Sequence, residues 1–207
     1  MRQRIRASPT VPVLVFMVLL ASQARAQEGP EPAPRIVIVV SQSDFTDREY
    51  FEARAVFERA QAGVLVVSTD EGYATSHDGR RIQVDAAIRS LMTADFGALV
   101  LIGGMGVLDT LSNSELLRSA LKAAVREHKV VAAICLAPVV LAKAGVLRNR
   151  VATCFNAAPV IIELKRNGAI YRDQDVVNAG GVITANGPDA AAVFAAAVLE
   201  EMEKGRS

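Results

Sequence analysis

The chain has 207 residues, 51% of them hydrophobic and 22% charged, the balance of a globular domain with a sizeable core and not of a disordered chain. Two cysteines exclude a disulfide scaffold, and two histidines disfavour a site built from several imidazole ligands. Residues 1–26 hold four arginines and no acid, so the net charge of +1 conceals a body, 27–207, with 19 basic against 22 acidic side chains. Without a basic face and without tryptophan, that body offers no footprint for nucleic acid.

Arg2, Arg4 and Arg6, an apolar run from Val11 to Ala21, and Ala24-Arg25-Ala26 before Gln27 are the three parts of a secretory signal. The run falls short of the about 20 apolar residues that cross a bilayer. A signal peptide is therefore expected over 1–26, with an uncleaved anchor as the alternative. Residues 27–34 form a linker, and one domain follows over 35–204. The mature chain is expected to be periplasmic or secreted, with no stable membrane insertion.

From Arg35 the pattern alternates. Arg35 to Ser41 is a continuous apolar run, the mark of a strand buried on both faces. Tyr50, Ala53, Phe57 and Ala60 recur at helical spacing over Asp47 to Gln61. Val64 to Ser68 is a strand, and the polar stretch 69–85 a loop or hairpin excursion. Ala98 to Ile102 is a strand ended by Gly103-Gly104. Ser112 with Glu115 has capping-box spacing for a helix running to about His128. Val130 to Ile134, Val151 to Phe155 and Val182 to Ala185 are further strands. Ala137 to Ala144, Pro159 to Asn167 and Pro188 to Glu203 are helices. Strands alternating with helices predict one α/β domain: a single doubly wound, flavodoxin-like parallel sheet with helices on both faces. Its site should lie beyond the carboxyl ends of the strands, where strand order switches.

Cys135 follows one of these strands and precedes a helix with Pro138 in its first turn. A nucleophile on a sharp strand-to-helix turn needs small residues two places before and after it, and Ala133 and Ala137 meet that need. The sulfur would face the positive end of a helix, which favours thiolate. Spacing alone leaves two readings open, a reactive thiol and an ordinary core cysteine.

Ala132-Ala133-Ile134-Cys135-Leu136-Ala137-Pro138, Leu99 to Gly104 and Val182 to Pro188 (VITANGP) together resemble the ordered motifs of the DJ-one/PfpI superfamily, from about Arg35 to Met202. The resemblance implies a class I glutamine-amidotransferase-like fold with Cys135 as nucleophile. It implies that Glu49 points back at the cysteine, with Asp44 and Asp47 as weaker candidates. The N–H groups of Gly104 and Leu136 would form an oxyanion pocket. The chain departs from the peptidase-like members, which carry histidine directly after the cysteine, and it lacks the late H-x-E motif of the amidotransferases. Of the two histidines, His128 is expected at the wrong end of its strand and His77 in solvent on the excursion.

Cys154 closes the next strand, which a right-handed crossover would set directly beside that of Cys135. It is readable as a redox partner or as an inert buried residue. Three functions remain: an enzyme acting on small reactive carbonyls in the glyoxalase or deglycase manner, a redox-sensing cysteine protein, and a hydrolase or peptidase that Leu136 disfavours. A catalytically silent binding domain is the remaining alternative. The partners expected are a small-molecule substrate and copies of the same chain. No metal-ligand spacing, phosphate loop or dinucleotide fingerprint is present, so no cofactor and no metal are expected.

Overall fold

The computed structural model describes residues 35–92 and 95–205. The expected signal peptide and linker lie outside these described residues. Strand β1 (Arg35–Val39) is fully buried from its second residue onward. A short β2 (Ser43–Phe45) leads into helix α1 (Asp47–Arg59), whose Tyr50, Ala53 and Phe57 face the core. β3 (Gly63–Ser68) pairs parallel with β1. The excursion is an antiparallel hairpin of β4 (Gly72–Ser76) and β5 (Arg81–Val84), with β2 laid along β4. β6 (Ala86–Ala87) ends this side of the sheet beside β3.

The chain then crosses to the other side of β1. β7 (Ala98–Leu101) pairs parallel with β1, and β8 (Val130–Ile134) lies beyond it. Between them run α2 (Met105–Asp109) and α3 (Glu115–Arg126). After β8 come α4 (Pro138–Lys143), β9 (Val151–Ala152), α5 (Ala158–Arg166) and β10 (Ile170–Tyr171). β11 (Val176–Asn178), β12 (Val182–Ala185) and α6 (Ala191–Lys204) complete the domain. The central sheet has the order β11-β12-β8-β7-β1-β3-β6, parallel throughout except for β11. This is the doubly wound, flavodoxin-like α/β fold that the alternating pattern predicts.

Chain direction fixes the layers. The step from β1 to β3 and the step from β7 to β8 run in opposite directions across the sheet. With crossovers of one hand, α1 and α3 must therefore cover opposite faces. α6 joins α1 and packs against it. The order reverses between β1 and β7, so the carboxyl ends of these strands bound the crevice where such folds take ligands.

Two local expectations are corrected. α3 is capped by Ser114, whose hydroxyl oxygen accepts the Leu117 N–H at 3.2 Å. Ser112 sits earlier, in a 3-10 turn, and its hydroxyl donates to the Leu108 carbonyl. The Val151 to Phe155 segment is not a strand of the central sheet. β7 and β12 already occupy the two edges of β8, so the two residues of β9 pair with β10 in a separate sheet. Thr153 reaches β12 only through a side chain, its N–H donating to Thr184 Oγ1 at 2.9 Å.

Candidate active site

Cys135 stands where β8 gives way to the turn into α4, with φ at +63°. A left-handed non-glycine residue costs about 1–3 kcal/mol and persists only where its surroundings over-determine it. Here the Cys135 N–H donates to the Ala185 carbonyl at 2.9 Å, and the Phe155 N–H donates to the Cys135 carbonyl at 2.8 Å. Ala133 and Ala137 are fully buried on either side, leaving room for the chain to double back. Cys135 is 7% exposed. Its opening is a cleft of about 260 Å³ whose walls include Thr46, Gly104, Met105, Leu136 and Phe155.

Glu49 arrives at the same point from α1. Thr46 and Glu49 have capping-box spacing at the start of this helix, yet neither closes the box. The Thr46 N–H donates instead to the Gly103 carbonyl at 3.0 Å. The freed carboxyl turns inward, and Glu49 Oε2 accepts the Gly103 N–H at 2.9 Å. The Cys135 thiol and the Thr46 hydroxyl approach closely enough to lower its proton affinity, although Oε1 has no partner at full hydrogen-bond geometry. Burial outweighs all three and raises the carboxyl from 4.5 to about 7. Gly103 is what lets the groups meet: a Cβ there would stand 2.7 Å from both Cys135 Cβ and Glu49 Oε2.

The thiol departs from the expectation of a lowered pKa. Burial pushes it up, and the Glu49 carboxylate beside it pushes it further. The Leu136 N–H favours the thiolate but is outweighed, since α4 has only six residues and little dipole to offer. Ionisation of the pair near pH 7 therefore places its first negative charge mainly on Glu49, with the proton on sulfur.

Gly104 lines the cleft at φ +118°, and Leu136 lines it from the far side of Cys135. Asp44 and Asp47 hold the hairpin rather than the thiol. Asp47 accepts the Ser76 hydroxyl at 2.5 Å and the Asp78 N–H at 3.0 Å, while Asp44 Oδ1 lies 2.7 Å from His77 Nδ1. His77 stands in solvent on the excursion, as expected. Its side chain is 75% exposed, yet it borders the same cleft as Cys135. Sequence reasoning missed it because the pairing of β2 with β4, which carries the hairpin onto this rim, leaves no mark in local spacing. His128 lies before the first residue of β8, at the opposite end from Cys135, as expected.

Cys154 is wholly buried and, like Cys135, a free thiol. Burial pushes it up to about 12. Cys154→Ser is expected to cost about 1–3 kcal/mol, since an apolar pocket must then take a hydroxyl. The midpoint of urea unfolding measures this.

Comparison with known proteins bears on the family and the fold. Residues 34–201 match the model of the DJ-1/PfpI family. The uncharacterized protein MJ0967 of Methanocaldococcus jannaschii is 43% identical over 92% of this chain and 93% of its own length. The glutathione-independent glyoxalase DJR-1.2 of Caenorhabditis elegans is 28% identical over 81% of this chain and 88% of its own. The protein/nucleic acid deglycase 2 of Escherichia coli is 29% identical over 74% and 89%. Among solved structures, the ThiJ/PfpI domain protein of Brachyspira murdochii superposes with a TM-score of 0.77 at 30% identity, over 83% of this chain and 98% of that one.

Proposed function

Since the chain belongs to the DJ-1/PfpI family, we propose that it is a cysteine-dependent enzyme acting on small reactive carbonyl compounds, in the manner of its relatives named as a glyoxalase and a deglycase. One observation carries the reading. A buried glutamate with a pKa of about 7 lies against a thiol on a strained turn, at the end of a small cleft. A base near neutrality is what proton transfer at neutral pH requires.

The chemistry follows with an α-oxoaldehyde as substrate. Glu49 takes the thiol proton as Cys135 Sγ bonds to the aldehyde carbon, and the C=O electron pair moves to oxygen. The N–H groups of Gly104 and Leu136 receive that oxyanion. Glu49 returns the proton to it, giving a hemithioacetal. Glu49 next removes the C–H proton of that carbon and delivers it to the neighbouring carbon, while the hydroxyl proton moves to the neighbouring oxygen, leaving a thioester of a 2-hydroxy acid. Water hydrolyses the thioester and restores the thiol.

Conversion of methylglyoxal to lactate tests the reading. Turnover is expected, and iodoacetamide at Cys135 is expected to abolish it. Because Glu49 must be ionised to act as base, kcat/KM is expected to rise about tenfold between pH 6 and pH 8 with an inflection near 7. Protein that forms no lactate ends the proposal. A second reading rests on Cys154, next in the chain to Phe155, whose N–H bonds to the Cys135 carbonyl. If peroxide links the two thiols in non-reducing mass spectrometry and methylglyoxal is untouched, the protein is a redox device.

The same proposal takes the chain to be exported, on the strength of the signal pattern in residues 1–26; N-terminal sequencing of exported protein is expected to begin at Gln27. It also includes assembly with copies of itself. α6 buries Phe194 and Val198 within its own chain but leaves Val193 62% exposed, and light scattering reads the mass in solution.

A further inference from the structure

We infer that His77, held by Asp44, is a catalytic residue: it contacts the substrate oxygen next to the attacked carbonyl, gives that oxygen a proton and recovers one from the oxygen on the sulfur-bearing carbon. The inference rests on the carbonyl reading above and adds the residue that moves protons between the two oxygens of the α-oxoaldehyde.

Cys135 and His77 come from remote elements, the elbow after β8 and the residue after β4, yet both border one cleft of about 260 Å³. The hairpin holds its residue in place. The His77 N–H donates to the Phe45 carbonyl at 2.8 Å, and Ser76 and Asp78 are tied to Asp47. A carboxylate can only accept, so the 2.7 Å contact with Asp44 puts a proton on His77 Nδ1 and leaves Nε2 as the working nitrogen. Asp44 itself sits at φ +60°, a conformation that aspartate tolerates at a cost. Asp44 also raises the pKa of His77 by its hydrogen bond and its charge, which favours the form that donates from both nitrogens. Cys135 lines the cleft with Glu49 buried behind it, while Met105, Leu136 and Phe155 supply no proton carrier.

The proton balance then closes without a further reagent. As Glu49 removes the C–H proton of the hemithioacetal, the electron pair forms the C=C bond and the neighbouring carbonyl becomes C–O. The imidazolium of His77 protonates that oxygen, giving an enediol. Glu49 then protonates the neighbouring carbon, and the hydroxyl proton on the sulfur-bearing carbon passes to the neutral imidazole as C=O re-forms. Both groups finish as they began.

Two measurements test this. In Cys135→Ser, which lacks the thiol, pyruvate serves as a probe with two adjacent carbon–oxygen groups. Proton NMR should show the His77 ring signal shifting and that of His128 unmoved, and as these are the only two histidines, His77→Gln assigns both. In the full-length chain otherwise unchanged, His77→Gln is expected to lower kcat for methylglyoxal about 100-fold while iodoacetamide still labels Cys135 at the wild-type rate. Added imidazole is expected to restore turnover to His77→Gly, which a merely structural role would not allow. A stationary His77 signal, turnover by His77→Gln within twofold of wild type, or failure of imidazole to rescue overturns the inference. Wild type that forms no lactate while the His77 signal still shifts removes the proposed reaction and leaves the contact standing.

Discussion

Glu49→Gln is expected to remove turnover and to stabilise the fold in the same step. The variant keeps an oxygen for the Gly103 N–H, which Glu49 Oε2 now accepts at 2.9 Å, but it can neither take nor return a proton. Loss of a positioned acid–base group lowers rates about 10²–10⁴-fold. The stability change has the opposite sign. In the unfolded chain the carboxyl ionises near 4.5, and in the folded chain near 7. Between these values the unfolded state has released a proton that the folded state retains. The folded-state advantage is thus complete below pH 4.5 and is lost as pH rises through about 7. A shift of this size corresponds to about 3 kcal/mol. Glutamine titrates nowhere in that window. At pH 8 the variant should exceed wild type by up to about 3 kcal/mol, or about 6–12 °C in Tm for a domain of this length, and near pH 4.5 the difference should largely close. Calorimetry at the two pH values measures it, and a variant no more stable than wild type at pH 8 would remove the buried carboxylate from the account.

The role proposed for Glu49 depends on burial by remote elements, and this bears on how much of the site is legible in sequence. The elbow is written locally. Two alanines around Cys135 and an apolar run before it are enough to place the thiol at a strand end. Parallel strands are likewise written in continuous apolar runs, because burial on both faces removes alternation. Glu49 is legible only in part. Its spacing from Thr46 reads as a capping box, and nothing local says that the box stays open because Gly103 draws off both partners. The thiol shift runs opposite to the sequence expectation for the same reason. A helix start is visible in sequence, whereas a carboxylate arriving from another element and the loss of water around it are not. Cys154 and His77 mark the same limit. Strand order decided that β12 and not β9 lies beside β8, and a pairing between β2 and β4 brought the hairpin to the rim. Both are long-range choices made by packing.

Gly104→Ala should show how closely these elements are fitted. Gly104 has φ +118° and ψ 162°, a region essentially confined to glycine. A Cβ there would stand 2.7 Å from Phe45 Cα and 2.9 Å from the Thr46 nitrogen, and closer still to the Asp44 carbonyl oxygen. All three are backbone atoms, so no side-chain rotation relieves the clash. Either β2 and the first turn of α1 withdraw, taking Asp44, Thr46 and Glu49 with them, or the end of β7 moves away from Cys135. Strain and overpacking together should cost about 3 kcal/mol or more. Displacement of Glu49 by about an ångström should lower turnover at least about 100-fold in whatever protein remains folded. Gly145→Ala is the matched comparison. That glycine also has a positive φ, +77°, but nothing lies within 4 Å of the position its Cβ would take. It should lose only the conformational cost, about 1–2 kcal/mol, with methylglyoxal turnover intact. Urea midpoints and lactate formation measured on both variants separate backbone strain alone from strain plus the collision at the rim. Equal losses in the two variants would mean that the close approach of Gly104 to β2 contributes nothing to the site.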